Sequence, residues 1–255
     1  MSEPEPLLPA GFRAHHFATV GSTNDTAKEL ARTGHPAGTL VWADEQTAGR
    51  GRRGRVWASP PGNLYMSLVL RPEGPPVQAA QLGFVAALAL GDAIAALAGP
   101  GLRPRCKWPN DLLLNGKKLA GILLESEMAG ERLDFVVIGV GVNIVSAPPG
   151  TEYPATSLAA EGVGCIVPAS LLAAFAEHFG RWDERRRGAG FAALRAAWLE
   201  RAVGLGEPVR VRLEKLTLNG RFLDLDEDGA LVLEMADGRR RIAAGEVFPA
   251  ASTAA

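Results

Sequence analysis

Cysteine is nearly absent from this chain. Cys106 and Cys165 are the only two among 255 residues, so neither a disulfide framework nor a cysteine-rich zinc site is indicated. Excess charge is lacking too, because 27 lysines and arginines face 28 aspartates and glutamates. A protein that binds nucleic acid through its overall charge is usually basic. The composition therefore disfavours a general nucleic-acid binder.

Long, uninterrupted apolar runs are also missing. The most apolar stretch, residues 79–98, is rich in alanine and contains Gln81 and Asp92, which favours a buried helix over a membrane span. Residues 1–6 are acidic and proline-rich, unlike a secretion signal. With 47% apolar and 22% charged residues, the chain is predicted to be a soluble cytoplasmic protein with a substantial core.

The pattern of predicted elements indicates an α+β fold. A flexible lead at 1–10 is followed by a predicted helix that begins at Ser22, with Asp25 completing a capping box and Gly34 at the C′ position. The Asn115-Gly116 pair predicts a tight hairpin. Strands are expected at 12–20, 39–43, 64–70, 112–114, 117–125 and 133–144, and further helices at 77–97, 169–187 and 191–202. The strand at 133–144 is nearly all apolar, which predicts a central position.

The sequence changes character near residue 204. Short strands are predicted at 209–213, 221–225, 230–234 and 239–242, with tight turns at Asp228-Gly229 and Asp237-Gly238. This pattern is typical of a small β-barrel-like module. We therefore expect two domains, at 1–202 and 203–255.

Residues 49–55 contain four arginines and three glycines. Glycine permits close approach of the backbone to a ligand, and arginine provides a planar fork for carboxylate or phosphate oxygens. The segment is predicted to be an anion-binding loop that orders when its ligand arrives, and the alternative is a solvated basic loop. Gly49, Gly51 and Gly54 match the dinucleotide fingerprint by spacing only. That fingerprint must open a helix, whereas Trp57 is followed by prolines and a strand.

Two further clusters contain charged residues, and one strand contains two glycines. In residues 107–111, a lysine, Trp108, a proline, Asn110 and Asp111 precede the hairpin, although Asn and Asp are also common turn residues. Strand alternation directs adjacent Lys117 and Lys118 to opposite faces, so one of them can enter a cleft. A lysine buried there requires an anion. Two glycines inside the strand at 133–144 are also compatible with close approach of a ligand.

Taken in order, these motifs resemble those of biotin–protein ligases. The matching segments are Gly-Arg-Gly-Arg-Arg-Gly-Arg-x-Trp at 49–57, Lys-Trp-Pro-Asn-Asp at 107–111, Lys-Leu-Ala-Gly-Ile-Leu-x-Glu at 118–125 and Gly-x-Gly-x-Asn at 139–143, together with Ser-Thr-Asn at 22–24 and Asp-Glu-Gln at 44–46. The resemblance implies a mixed β-sheet with helices on one face, similar to class II synthetases and biotin–lipoate ligases, and a C-terminal SH3-like β-barrel.

The resemblance also implies a two-step reaction. ATP with Mg²⁺ activates biotin as biotinyl-5′-AMP, and a lysine of a biotin carboxyl carrier protein then takes the biotin. Only about 20 residues precede Ser22, too few for a three-helix DNA-binding domain, so we expect ligase activity without DNA or membrane binding. Members of the family often dimerise through sheet edges, and the sequence leaves a homodimer open.

Matching positions give the expected roles. Biotin contacts are expected from Ser22, Thr23, Asn24, Gln46, Gly49, Arg50, Gly51, Arg52 and Lys118. Arg52 and Lys118 are the expected catalytic residues, at the junction of carboxylate and phosphate. ATP or adenylate contacts are expected from Arg52, Arg55, Trp57, Asn110, Asp111, Lys118 and Asn143. No direct protein ligand to a metal is expected, since Mg²⁺ arrives with ATP and Asp111 is at most in its outer shell. Lys107 is expected to orient the loop or the acceptor lysine.

Three other functions compete with this interpretation. A lipoate or octanoate ligase would share the acceptor type but need a different acyl pocket. A non-enzymatic module that senses biotin or nucleotide would bind ligand without modifying a carrier domain. A nucleic-acid binder would use Arg50 to Arg55 and show a steep dependence of affinity on salt.

Overall fold

The computed structural model describes residues 6–74, 76–99 and 101–250, and its larger part is a seven-stranded sheet. The strands are β1 Arg13–Val20, β2 Thr39–Gln46, β3 Leu64–Leu70, β4 Arg105–Lys107, β5 Asp111–Leu114, β6 Lys117–Ala129 and β7 Arg132–Val142. Their order is β1-β2-β3-β7-β6-β5-β4. Strands β1 and β2 are parallel and the other neighbours are antiparallel, so the sheet is mixed, as predicted. Apolar β7 is the central strand, also as predicted.

Helices cover both faces of this sheet. Leu40 and Trp42 of β2 belong to the main core together with α2 (Pro76–Ala98) and α3 (Pro168–Leu199). Val41, between them, belongs to a second apolar cluster with Ala27 and Ala31 of α1 (Thr23–Arg32). The expectation of helices on one face therefore holds for α2 and α3 but not for α1. Strand alternation explains this, because successive side chains point to opposite faces.

The helix ends agree only in part with the predictions. Gly34 follows α1 with φ of 90°, as expected for a C′ glycine. The predicted capping box is wrong, because Ser22 makes no side-chain capping bond and the Asp25 carboxylate accepts hydrogen bonds from Arg50 instead. Gly190, with φ of 72° and ψ of −178°, interrupts α3 between the two segments predicted as separate helices.

The long apolar helix α2 belongs to the core. Residues Gln78–Ala98 have the length and composition of a membrane span, but Leu82, Val85 and Leu88 are among its side chains buried within the fold. The prediction of a buried helix is confirmed.

A second, antiparallel sheet of five strands follows. It contains β8 Pro208–Arg212, β9 Thr217–Leu225, β10 Leu231–Met235, β11 Gly238–Ile242 and β12 Glu246–Pro249, in the order β11-β10-β9-β8-β12. Strands β11 and β12 are its two edges, so an SH3-like antiparallel sheet is present but no closed barrel is formed by the described residues. Phe222 and Leu233 join the main core, and the Trp108 indole donates a hydrogen bond to Gly229 O at 3.1 Å. The second sheet is therefore packed against the first.

Candidate functional site

A cleft of about 310 Å³ opens on the α1 face of the large sheet. Its walls are the loop at 49–57, the β5–β6 hairpin and β12. Of the residues predicted for the site, the structure brings all but one to this cleft: Ser22, Thr23, Asn24, Gln46, Arg50, Gly51, Arg52, Arg55, Trp57, Asn110, Asp111, Lys118 and Asn143 line it. The exception is Gly49, which is buried at the base of the loop.

Glycines give the cleft its depth. Gly121 of β6 and Gly141 of β7 lie opposite each other on neighbouring strands, and Trp57 packs over both. A Cβ atom on Gly141 would lie 2.5 Å from Trp57 Nε1 and Cε2. A Cβ atom on Gly139 would overlap the Asn24 side chain. Side chains larger than hydrogen at these positions would displace residues of the site.

At one end of the cleft, hydroxyl and amide groups orient one another. The backbone N–H and the hydroxyl of Thr23 donate to Gln46 Oε1 at 2.9 and 3.1 Å. Gln46 Nε2 donates to Ser59 Oγ at 2.9 Å, and Ser59 Oγ donates to Trp57 O at 2.8 Å. Because Oε1 accepts two hydrogen bonds and Nε2 donates one, the Gln46 amide is fixed in orientation. Ser67 Oγ lies beneath, 2.8 Å from Thr23 Oγ1.

The Glu125 carboxylate holds side chains at the same hydroxyl- and amide-lined end of the cleft. Asn24 Nδ2 and Lys28 Nζ donate to the two oxygens of Glu125 at 2.6 and 2.8 Å. Burial alone would raise the pKa of Glu125, but the hydrogen bonds from Lys28 and Asn24 outweigh it, so that the pKa is lowered. Glu125 was not among the predicted site residues, although it ends the Lys-Leu-Ala-Gly-Ile-Leu-x-Glu motif.

The loop at 49–57 is attached at both ends. The Arg50 guanidinium donates to both oxygens of Asp25 at 2.6 Å, which lowers the pKa of that carboxyl group. Arg55 donates to Glu246 of β12 at 2.6 Å, and Glu246 also accepts from Arg212. Neither carboxylate was predicted for the site. Asp25 was interpreted as a helix cap, and Glu246 lies 191 residues from Arg55, so no sequence signal could have connected them.

Arg52 is held less firmly. Its NH1 atom lies 3.3 Å from Gly245 O and 3.5 Å from Asn110 Oδ1, both long for hydrogen bonds. Burial lowers the pKa of Arg52, and the neighbouring charge of Arg53 acts in the same direction. An anion beside Arg52 would relieve both effects.

Two lysines meet one carboxylate at the other end of the cleft. Lys118 Nζ lies 2.6 Å from Asp111 Oδ1, and Lys107 Nζ donates to Asp111 Oδ2 at 3.0 Å. Burial would raise the pKa of Asp111, but the two ammonium groups outweigh it, so that the pKa is lowered. Among the described residues, no group of three or more His, Cys, Asp and Glu side chains could hold a metal ion.

The two asparagines of this region bind the backbone. Asn110 Nδ2 donates to Ile122 O, and Asn143 Nδ2 donates to Thr156 O at 3.0 Å. Asn143 is 2% exposed, and its backbone also bonds Leu119 and Leu158. Both side chains therefore help to shape the cleft wall.

The arrangement suits an elongated ligand. Hydroxyl and amide groups at one end can recognise a polar ring, while Arg52 and Lys118 at the other end can stabilise negative charge. A cavity of this size is in the range of small-molecule sites.

Comparisons with known proteins agree with this geometry. Residues 17–143 match the biotin/lipoate A/B protein ligase family, and residues 204–248 match the biotin protein ligase C-terminal domain. A biotin--[acetyl-CoA-carboxylase] ligase of Paracoccus denitrificans is 46% identical, covering 91% of this chain and 98% of the relative. The Aquifex aeolicus biotin protein ligase in complex with biotin and ATP is 27% identical, with a TM-score of 0.77 over 92% of this chain and 97% of that one. The Leishmania major enzyme in complex with biotinyl-5-AMP is 30% identical, with a TM-score of 0.64 over 91% and 98%.

Proposed function

The chain belongs to the biotin protein ligase family, and from this premise we infer which of its residues attach biotin to protein in an ATP-dependent reaction. The biotin carboxylate attacks the α-phosphorus of ATP, which gives biotinyl-5′-AMP and pyrophosphate. The ε-amine of an acceptor lysine then attacks the activated carbonyl carbon, and AMP leaves with the electron pair of the broken C–O bond. Because negative charge concentrates at the reacting oxygens in both steps, fixed cations should contribute most.

The polar end of the cleft is proposed to hold the biotin ring. Thr23 and Gln46 present hydroxyl and amide groups to a ureido ring, with Ser22 and Asn24 beside them. A dithiolane ring would use few of these groups, which favours biotin over lipoate. Arg50 and Gly51 would close over the ring as part of the loop, and Gly49, buried at the base of the loop, would support them.

The cationic end is proposed to hold the reacting centre. Lys118 would contact the biotin carboxyl oxygen and the α-phosphate, and Arg52 would neutralise the same junction from the loop. Trp57 and Arg55 would lie on the nucleotide side, with Asn110, Asp111 and Asn143 shaping the wall. The observation that carries this assignment is the convergence of Arg52 and Lys118, 66 positions apart in the sequence, on one cleft.

Magnesium is proposed to enter with the phosphates of ATP. Both oxygens of Asp111 are engaged by lysines, so the residues fit an outer-shell role for Asp111 and not direct coordination. The ion would neutralise phosphate charge, while the protein supplies Lys118 and Arg52.

The acceptor is proposed to be the biotin carboxyl carrier domain of a carboxylase, and the cytoplasm is proposed as the compartment because ATP is used there. The domain boundary is proposed at 202/203, which is supported by the match of the C-terminal family from residue 204. A homodimer remains a hypothesis that size-exclusion chromatography with and without biotin and ATP would test.

One assay tests the function. The protein is incubated with biotin, magnesium ATP and a carrier domain, and the intact mass of the carrier domain is measured. Addition of one biotin is expected. Pyrophosphate exchange into ATP that depends on lipoate, and not on biotin, would favour the lipoate ligase instead. Biotin binding without exchange or carrier modification would favour a sensing module.

A further inference from the structure

The pair of lysines on Asp111 is unusual because the two side chains are not equivalent. The Lys107 side chain is 7% exposed, and that of Lys118 is 28% exposed. Lys107 Nζ lies 4.7 Å from the centroid of the Tyr153 ring and 5.8 Å from that of Phe248. These aromatic faces favour a cation and enclose it.

The Lys118 side chain is less enclosed. Its Nζ atom lies 5.4 Å from the centroid of the Trp57 ring, and 3.5 Å from the position that a Cβ atom on Gly121 would take. The larger exposed fraction of Lys118 leaves its ammonium group room to change position beside Trp57. On the same carboxylate, Lys107 is therefore enclosed and Lys118 is more accessible.

On the basis of the proposed function, we propose that Lys107 is a positioning residue that serves as the permanent counter-ion of Asp111 and thereby allows Lys118 to move to the reacting oxygens. Removal of the only partner from a buried charge is strongly unfavourable. With Lys107 on Oδ2, departure of Lys118 from Oδ1 leaves the carboxylate paired. Without Lys107, the carboxylate retains Lys118, and the cation is not available to biotin and the α-phosphate.

A purely structural role for Lys107 makes a different prediction. If Lys107 only stabilised the fold, its loss would lower Tm but leave kcat of the folded protein unchanged, whatever residue 111 is. If it acts through the Asp111 charge, the Asp111→Asn substitution removes the need for a counter-ion and releases Lys118. The effects of the two substitutions should then be strongly non-additive, as for groups in one charged network.

The test is a double-mutant cycle on biotin-dependent pyrophosphate exchange. Lys107→Met is expected to lower kcat about tenfold, with little change in KM for biotin, and Lys107→Arg should restore most of the rate. In the Asp111→Asn background, Lys107→Met should change the rate by less than about twofold. Lys117→Met is the matched control, since Lys117 pairs with Glu161 outside the cleft. Thermal unfolding verifies that each variant is folded.

Equal rate losses in both backgrounds, or no loss on Lys107→Met, would overturn the proposal. Absence of exchange in the unmodified protein would count against the proposed function instead. If Lys107→Met does not fold, Tyr153→Leu opens the aromatic enclosure without removing a charge. Tyr153→Leu should slow exchange severalfold when Asp111 is present and should have no effect in the Asp111→Asn background.

Discussion

Substitution of Gly141 by alanine tests whether Trp57 fixes the loop over the cleft. Gly141 does not have a positive φ, so its backbone can accommodate alanine. The added Cβ atom would lie 2.5 Å from Trp57 Nε1, whereas non-bonded carbon contacts are about 3.5–4 Å. The indole must therefore move by about 1 Å.

Both stability and activity should decrease. Overpacking of this kind costs about 1–3 kcal/mol, and each kcal/mol lowers Tm by about 2–4 °C in a chain of this size. Trp57 N donates to Gly49 O at 2.9 Å and Trp57 O accepts from Ser59, so a displaced indole shifts the base of the loop that carries Arg52. A misplacement of about 1 Å can slow a reaction about a hundredfold.

The assay compares Gly141→Ala with Gly188→Ala by thermal unfolding and by pyrophosphate exchange. Gly188 lies in α3, and a Cβ atom there would have no neighbour within 4 Å. Its replacement should leave exchange unchanged and stabilise the helix by up to about 1 kcal/mol. If Gly141→Ala exchanged pyrophosphate at the rate of the unmodified protein and unfolded at the same temperature, the role assigned to Trp57 would be refuted.

Further predictions concern the charged groups and the cysteines. Arg52→Gly should release free biotinyl-5′-AMP when no carrier is present, as measured by chromatography, and retention of the intermediate would count against the role of the loop. Lys118→Ala should slow pyrophosphate exchange about a hundredfold, equivalent to about 3 kcal/mol. Hydrogen bonds, the first from Thr156, lower the pKa of Glu161 from 4.5 to about 2. Its contribution to stability is complete above pH 4.5 and is lost as the pH falls toward 2, so Tm should fall less over this range in Glu161→Gln than in the unmodified protein. Iodoacetamide should add once to the native protein, at exposed Cys165, because burial raises the pKa of Cys106 to about 12.

Local sequence patterns predicted much of the fold. Strand β3 has its predicted bounds of 64–70, and the Asn115-Gly116 hairpin is present because both residues adopt the positive φ that such turns require, 49° and 76°. The ordered motifs contain most of the residues that line the cleft, but not Tyr153, Glu246 or Phe248. The strand and the hairpin could be predicted because they depend on residues that are neighbours in the chain. The site residues could be predicted because they belong to motifs shared with a known family.

Contacts between distant segments were not predictable in the same way. Three-residue β4 and four-residue β12 are too short to show an alternating pattern. The partners of Arg50 and Arg55 are carboxylates that have other interpretations in the sequence, one as a cap and one as an ordinary residue of the C-terminal module. The sequence also did not show on which face of the sheet α1 packs, because the apolar surface of this helix fits either face.

These distant contacts change how the arginine-rich loop should be understood. The sequence alone predicts that the four clustered arginines repel one another and that together they bind an anion. In the structure, the carboxylates Asp25 and Glu246 neutralise Arg50 and Arg55, while Arg53 is exposed and has no carboxylate partner among the described residues. Arg52 is the loop arginine that is half-buried and only weakly bonded. The anion-binding capacity predicted for the whole loop is thus concentrated at Arg52, and the arginines on either side of it act as anchors. Because Arg55 binds Glu246 of β12, the C-terminal sheet is needed to place Arg52 over the cleft.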